Sequence, residues 1–269
     1  MPAAPADDAR HNPHLLTLRS TIATPEGKRR YVRRLFATIA DRYDFITRFL
    51  SYGQDRRWKA RLIALASIAS RDRVLDLACG TGDLTFAAAG TARGVVGLDL
   101  THRMLELAIT RGSTPRWVCG DMLALPFPSA SFDVVTTGYG LRNVPDLRGA
   151  LREIHRVLAP GGRVLSLDFN RPEQPLLRTA YLAYLTAVGS TLGLMLHGDA
   201  DTYRYIPESI RLYPGASGVA ALMAEEGYGD VRVELLLGGL MAIHVATRGH
   251  GLPATAPARP GETPARLLP

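Results

Sequence analysis

Val74-Leu-Asp-Leu-Ala-Cys-Gly-Thr-Gly-Asp-Leu84 decides the fold. Its first half, led in by Arg73, is a short apolar run that predicts a buried strand. Its second half sets two glycines around Thr81. That predicts a tight turn running into a helix N-terminus, where backbone amides have no intrahelical partner. Downstream, Val95-Val-Gly-Leu-Asp99, Arg116-Trp-Val-Cys119, Phe132-Asp-Val-Val-Thr-Thr137 and Arg163-Val-Leu-Ser-Leu-Asp168 repeat the strand pattern. Helical stretches intervene, among them Met104 to Arg111 and about Asp146 to Leu158, the latter stopped by Ala159-Pro-Gly-Gly162. This alternation predicts an α/β fold with a mostly parallel sheet covered on both faces. Further on, a helix from Val219 to Glu226 precedes strands Val231 to Leu237 and Met241 to Ala246. Gly238-Gly239 between these strands predicts an antiparallel hairpin closing the sheet edge.

Upstream, apolar residues at Val32, Leu35, Phe36, Ile39, Tyr43, Ile46, Phe49 and Leu50 recur at spacings of three and four. They predict an amphipathic helix or helix pair, followed by a second helical stretch from Trp58 to Ile68. Residues 1–25 read as a flexible polar lead without the apolar stretch of a secretory signal. Residues 250–269 are rich in Pro, Ala and Gly and predict a disordered tail. One domain, 26–249, remains between them. Its two cysteines, Cys79 and Cys119, give neither a disulfide framework nor metal-ligand spacing, so a reducing compartment and no metal are expected. The net charge of +7 is concentrated: Glu26 to Arg61 holds eleven Lys/Arg against four Asp/Glu. Such a block favours an anionic surface, or else is a solvated helix face.

A Gly-x-Gly turn alone is weak evidence of a ligand, but three neighbours sharpen it. The third glycine of the dinucleotide pattern is replaced by Thr85. Asp76 lies inside the first strand, where a carboxylate would oppose a pyrophosphate and suits an ammonium group. Asp99 ends the second strand, 19 residues after Gly80, where it can accept from both ribose hydroxyls. Together they describe adenosine joined to a cationic amino acid, which is S-adenosylmethionine, and they argue against a nicotinamide cofactor. Asp76, Gly80, Thr81, Gly82 and Asp99 are the first candidate contacts. Asp121 follows the third strand and can accept from the adenine amino group. Met122 can offer backbone contacts, and Met104 can cover the adenine face.

With these residues in place, the chain resembles the ubiquinone/menaquinone biosynthesis C-methyltransferase family, from about Tyr31 to Arg248. The resemblance rests on Phe36-Ala-Thr-Ile-Ala-Asp-Arg-Tyr-Asp44, the glycine turn, Ala124-Leu-Pro-Phe-Pro128, Gly140-Leu-Arg-Asn-Val144, Arg156-Val-Leu-Ala-Pro-Gly-Gly162 and Asp201-Thr-Tyr-Arg-Tyr-Ile-Pro-Glu-Ser-Ile-Arg211. It implies a Rossmann-like class I methyltransferase with a helical lid insert at about 172–212. It also implies S-adenosylmethionine contacts at Thr81, Asp99, Asp121, Met122 and Gly138. Gly138 departs from the serine common in the family; the missing hydroxyl removes one hydrogen bond, worth about 1 kcal/mol.

The implied reaction is C-methylation of a prenylated quinol, demethylmenaquinol or polyprenyl-benzoquinol. Alternatives are another small lipophilic phenol, or a non-catalytic S-adenosylmethionine-binding module. Ring carbon attacks far better once the neighbouring phenol, with a pKa near 10, has lost its proton. Arg142, at the end of the fourth strand, is the candidate cation for the phenolate, and Asp168 the candidate base, with His197 a weaker one. Tyr43, Asp44, Asn143, Tyr203, Tyr205 and Arg211 are candidate substrate contacts. Between Arg178 and Asp199 twenty residues carry no formal charge. That length could span a bilayer, but its glycines and hydroxyls read instead as a lid over a greasy pocket. A nucleic-acid substrate is disfavoured, because Thr137-Gly-Tyr-Gly140 stands where amino-group methylators carry Asn/Asp-Pro-Pro-Tyr. The expected location is cytoplasmic, with peripheral contact at the anionic inner face of the membrane. Sequence leaves the oligomeric state open.

Overall fold

The computed structural model describes residues 13–249 apart from Tyr52, with side chains from Leu18 onward. The predicted tail and residues 1–12 of the predicted lead lie outside the described residues. Seven strands form one sheet: β1 (Arg73–Leu77), β2 (Gly94–Asp99), β3 (Arg116–Cys119), β4 (Phe132–Gly138), β5 (Leu158–Phe169), β6 (Tyr228–Leu236) and β7 (Met241–Arg248). Their order is β3-β2-β1-β4-β5-β7-β6. The first five run parallel, while β7 is antiparallel to both β5 and β6. The C-terminal hairpin is therefore present, with β7 inserted beside β5 and β6 outermost.

Central β1 is apolar on both faces because both are covered: Val74, Leu75 and Leu77 are fully buried. One face packs under α7 (Leu147–Val157) and α10 (Gly215–Glu225), through Leu151, Ile154, Val219 and Met223. The other meets α4 (Asp55–Ala66) and α5 (Asp83–Ala89), through Trp58, Leu62, Leu84 and Ala88. Each such side chain contributes roughly 1.5–3 kcal/mol on burial. β5 runs straight through the segment predicted as a stop: a register irregularity between Phe132 and Val134 of β4 lets Leu158 pair before Arg163 does.

The helical region upstream of the sheet is a pair, α2 (Pro25–Ile39) and α3 (Tyr43–Leu50), joined by a 3-10 turn at Ala40–Arg42. Thr24 caps α2 by accepting from Gly27 N, and Pro25 starts it, where a missing N–H costs nothing. The expected lead over 1–25 needs correction. Pro13–Ile22 is a helix, α1, because Leu18 and Ile22 are apolar at helical spacing and bury against Val32, Leu35 and Ile39 of α2. α6 (His102–Arg111) follows β2. The segment 172–212 contains α8 (Pro175–His197) and α9 (Tyr205–Leu212); Leu192, Tyr203 and Tyr205 from it share the α1–α2 cluster.

α7 begins at Asp146, whose side chain accepts from Gly149 N at 2.9 Å. Asp146→Ala should lower the unfolding free energy by about 1 kcal/mol. Urea melts should show an earlier midpoint at unchanged slope; an unmoved midpoint would mean the cap is redundant.

Candidate active site

The chain travels outward through β1, β2 and β3, then returns to lay β4 beside β1. The carboxyl ends of β1 and β4 therefore diverge into a crevice, the place where open α/β sheets hold ligands. Backbone geometry at its floor needs glycine. Gly82 caps α5 at φ 92°, and a Cβ there would sit 2.7 Å from Trp117 Cη2. Asp99 ties this turn to the end of β2: one carboxylate oxygen accepts from Gly80 N at 2.9 Å, the other from Thr101 N at 2.8 Å. Burial raises the Asp99 pKa, and these backbone donors oppose the rise.

Above the floor is a cavity of about 720 Å³, bordered by Gly80, Asp99, Met104, Asp121, Met122 and Gly138 among others. It thus gathers six of the nine predicted cofactor residues. A smaller cavity of about 320 Å³ beside the glycine turn takes in Asp76 and Thr81, together with Lys59 and Asp83. The donor set fits S-adenosylmethionine: carboxylates at both ends, apolar walls between, and no arginine or lysine cluster for a pyrophosphate. One buried acceptor in the larger cavity, Asn143 Oδ1, has no partner. Its amide nitrogen donates to Tyr139 O at 2.7 Å, which fixes the orientation of the group.

Several predicted residues have partners that sequence did not reveal. Asp76 accepts from Thr85 Oγ1 at 2.6 Å and Thr136 Oγ1 at 2.9 Å. The threonine that replaces the third glycine thus keeps a buried carboxylate tolerable. Burial still pushes the Asp76 pKa up to about 6, against those hydroxyls and Lys59. Asp121 pairs with Arg29 of α2 at 2.9 Å. Asp44 stands outside the cavities and instead accepts from Thr81 Oγ1 at 2.7 Å, binding α3 to the glycine turn.

A second cavity of about 920 Å³ adjoins the first. Phe36, Tyr43 and Tyr139 border both. Its walls are otherwise largely apolar, from Ile39, Ile46, Trp58, Phe169, Leu185 and Met241, with Arg142, Tyr203 and Tyr205 as polar points. Arg142 is buried, and its guanidinium carbon lies 5.1 Å from the Phe169 ring centroid and 6.0 Å from that of Tyr205. Burial lifts the Tyr43 pKa to about 12, with Lys59 opposing. Tyr205 OH is buried with no partner, and Tyr203 OH bonds His197 Nε2 at 2.9 Å.

Besides Asp44, three assignments change. Asp168 borders neither cavity. It accepts from Arg142 N at 3.0 Å, Arg142 Nε at 3.3 Å and Phe169 N at 2.8 Å, so its oxygens are committed to holding the arginine rather than to taking a substrate proton. Asn143 borders the first cavity, not the second. Arg211 is exposed and 3.7 Å from Glu208, away from both; helical periodicity turns it outward while Ser209 of the same helix reaches Arg142 Nη1. Sequence reasoning missed Arg29, Asp55, Lys59 and Tyr139. Tyr139 OH donates to Asp55 at 2.6 Å, and Lys59 bridges Asp55 at 2.7 Å and Asp83 at 2.9 Å. The Asp55-Lys59 spacing of four on a helix was the one legible sign of this group.

Comparison with known proteins bears on the family and the fold. The ubiE/COQ5 methyltransferase family matches residues 24–248. Demethylmenaquinone methyltransferase of Thermus thermophilus is 43% identical over 220 residues, spanning 80% of this chain and all of that protein. Ubiquinone/menaquinone biosynthesis C-methyltransferase UbiE of Azotobacter vinelandii is 39% identical, over 82% of this chain and 92% of its own. Among solved structures, a SAM-dependent methyltransferase from Thermotoga maritima superposes with a TM-score of 0.59 at 19% identity, over 81% of this chain and 99% of its own. That last likeness concerns the fold alone.

The raised pKa of Asp76 carries a sign for stability. In the folded protein the group holds its proton up to about pH 6, whereas unfolded it releases it near 3.8. Its ionisation therefore opposes folding, with the cost growing as pH rises from about 4 to 6 and constant above. Asp76→Asn should gain stability relative to the parent across that window, on the order of 2 kcal/mol. Denaturant melts of both proteins at pH 4.5 and 7 measure it. A pH-independent difference between them would refute the assignment.

Proposed function

The chain belongs to the ubiE/COQ5 methyltransferase family, and on that footing we propose that it methylates a ring carbon of a prenylated quinol, a demethylmenaquinol or polyprenyl-benzoquinol. It is an S-adenosylmethionine-dependent methyltransferase. One observation carries the substrate reading: a cavity with carboxylates for the cofactor meets, at Phe36, Tyr43 and Tyr139, a larger apolar cavity holding a buried arginine.

When bound, S-adenosylmethionine supplies a methyl group already activated by its positive sulfur. Asp99 would hold the ribose, Asp121 and Met122 the adenine, Gly80, Thr81 and Gly82 the backbone approach, and Asp76 the ammonium. Met104 closes the apolar wall, and Gly138 leaves room beside Leu84. The protein's task is to seat the ring and exclude water. The aromatic partition of Phe36, Tyr43 and Tyr139 does the excluding. Arg142 stabilises negative charge on the ring oxygen beside the attacking carbon, and does so strongly because little water reaches it. The unpartnered Tyr205 hydroxyl is a second donor, and Tyr203 lies along the same wall. The long apolar cavity takes the prenyl tail, each methylene contributing about 0.8 kcal/mol.

The substrate's tail also bears on location. Helix α3 lines the cavity with Ile46 and Leu50 yet turns Phe45 and Phe49 outward, 56% and 51% exposed. Leu177 of α8 and Leu237 of the last turn are exposed too. Within the basic segment, Lys28 and Lys59 are engaged inside the fold and Arg29 and Arg61 are exposed but paired with Asp121 and Glu234, while Arg30, Arg33, Arg34, Arg48, Arg56 and Arg57 are exposed. These features support a cytoplasmic protein that docks on the anionic inner face of the membrane to collect quinol. Each arginine near such a surface contributes about 1 kcal/mol. Helix α8 is long and apolar enough to cross a membrane by length and composition. Its burial of Tyr181, Leu182, Leu185 and Leu192 in the fold supports the lid reading instead.

Purified protein given S-adenosylmethionine and demethylmenaquinol should form a product in which a methyl group has replaced a ring hydrogen; no product from either quinol class would overturn the reading. Asp99→Ala should weaken cofactor binding by about tenfold or more, measured by calorimetry. Arg142→Met should cut turnover by about a hundredfold at near-parent cofactor affinity. Sedimentation should recover the protein with anionic vesicles at low salt and release it at high salt. Equal recovery in the supernatant with neutral and anionic vesicles, at every salt, would remove the membrane step.

A further inference from the structure

The turn that presents Arg142 is a single 3-10 turn, Leu141–Asn143, wedged between β4 and α7. So short a segment cannot fix a side chain by its own hydrogen bonds: its internal bond is Asn143 N to Gly140 O at 3.0 Å. Asp168 fixes it from the sheet side, through Arg142 N and Nε. On the opposite side the carbonyls of Arg142 and Val144 are left at the turn's C-terminal end, where backbone dipoles favour a cation. Lys28, 114 residues earlier and on α2, fills that place. Its ammonium donates to Arg142 O at 3.1 Å and to Val144 O at 2.7 Å. Lys28 borders neither cavity, so it touches no ligand.

We propose that Lys28 is a positioning residue, which latches α2 onto the Arg142 turn and so joins closure of the cofactor cavity to placement of the catalytic arginine. The geometry supports both halves. α2 also supplies Arg29, Val32 and Phe36 to the cofactor cavity and Leu35, Phe36 and Ile39 to the apolar one. The helix therefore lines both sites. When α2 is seated, Lys28 pins the two carbonyls and the turn is held from both sides. When it lifts, Asp168 alone holds the arginine. The latch is also sensitive to pH. Burial, then the Arg142 charge, bring the Lys28 pKa down to about 8, with Asp168 opposing. The ammonium holds the turn below that pH and loses its charge above it.

The inference rests on Arg142 acting at the ring oxygen, so its test runs beside Arg142→Met. Lys28→Met should lower kcat by about tenfold or more while the KM for S-adenosylmethionine changes far less. The parent should lose turnover above about pH 8, and Lys28→Arg, whose guanidinium stays charged throughout the alkaline range, should retain activity and remove that fall. Independently of activity, amide hydrogen exchange over residues 141–144 should quicken in Lys28→Met protein whose melting temperature shows it to be folded. Parent-level kcat in Lys28→Met, with Arg142→Met impaired, would overturn the latch and leave the catalytic reading standing. An alkaline fall that persists in Lys28→Arg would also overturn it. If Arg142→Met itself turns over at the parent rate, the catalytic reading fails, and the exchange experiment alone decides whether Lys28 holds the turn.

Discussion

A guanidinium held where water hardly reaches is the constraint around which this site is built. An unpaired buried charge is costly, and Arg142 is only 4% exposed. Everything near it answers that cost. Asp168 supplies the counter-charge and orients the group. Ser209 takes one guanidinium N–H, and the Phe169 and Tyr205 rings offer their faces. The result is a cation whose field is little weakened by solvent, beside a largely apolar cavity. Replacing the arginine alone would strand the buried Asp168 carboxylate without its counter-charge and cost stability, whereas replacing both partners with apolar groups need not.

The same economy governs the carboxylates. Asp76 and Asp99 are both buried and both pushed toward neutrality, yet each is supplied with neutral donors rather than with a tight cationic partner. Asp76 has two threonine hydroxyls, and Asp99 two backbone amides. A carboxylate satisfied by neutral dipoles keeps its charge available to a cationic ligand. One locked to an arginine, as Asp168 is, does not. This contrast separates the carboxylates suited to hold a sulfonium-bearing amino acid from the one that serves a neighbouring side chain.

Much of this was legible in the sequence, for identifiable reasons. Parallel strands at the centre of a sheet must be apolar on both faces, so Val74 to Leu77 announced themselves. The glycine turn was visible because Gly82 sits at a backbone angle that other residues rarely adopt. Asp99 and Asp121 could be placed because strand ends in such a sheet all point to one crevice. What stayed hidden was tertiary pairing across long separations. Nothing local says that Thr136 serves Asp76, that Arg29 reaches Asp121, or that Tyr139 finds Asp55, 84 residues away. Arg211 was misplaced for the opposite reason: a motif marks a helix, whereas the face a residue occupies depends on what that helix packs against. The helix at Pro13–Ile22 was obscured because a single short apolar face becomes stable only when α2 covers it.

The apolar residues of α1, α2, α8 and α9 pack with one another, in a cluster separate from the two that flank the sheet. A protein divided this way can melt in part. The helical cluster has its own small reserve of buried surface, so it can come away at a cost set by that reserve, while the sheet keeps its full cooperativity. Exchange of a long hydrocarbon ligand then needs only a sub-global fluctuation of the native state. Cofactor-binding strands would stay registered through every turnover, and the ease of that fluctuation, rather than the chemistry at the arginine, would set how quickly the enzyme sheds its product.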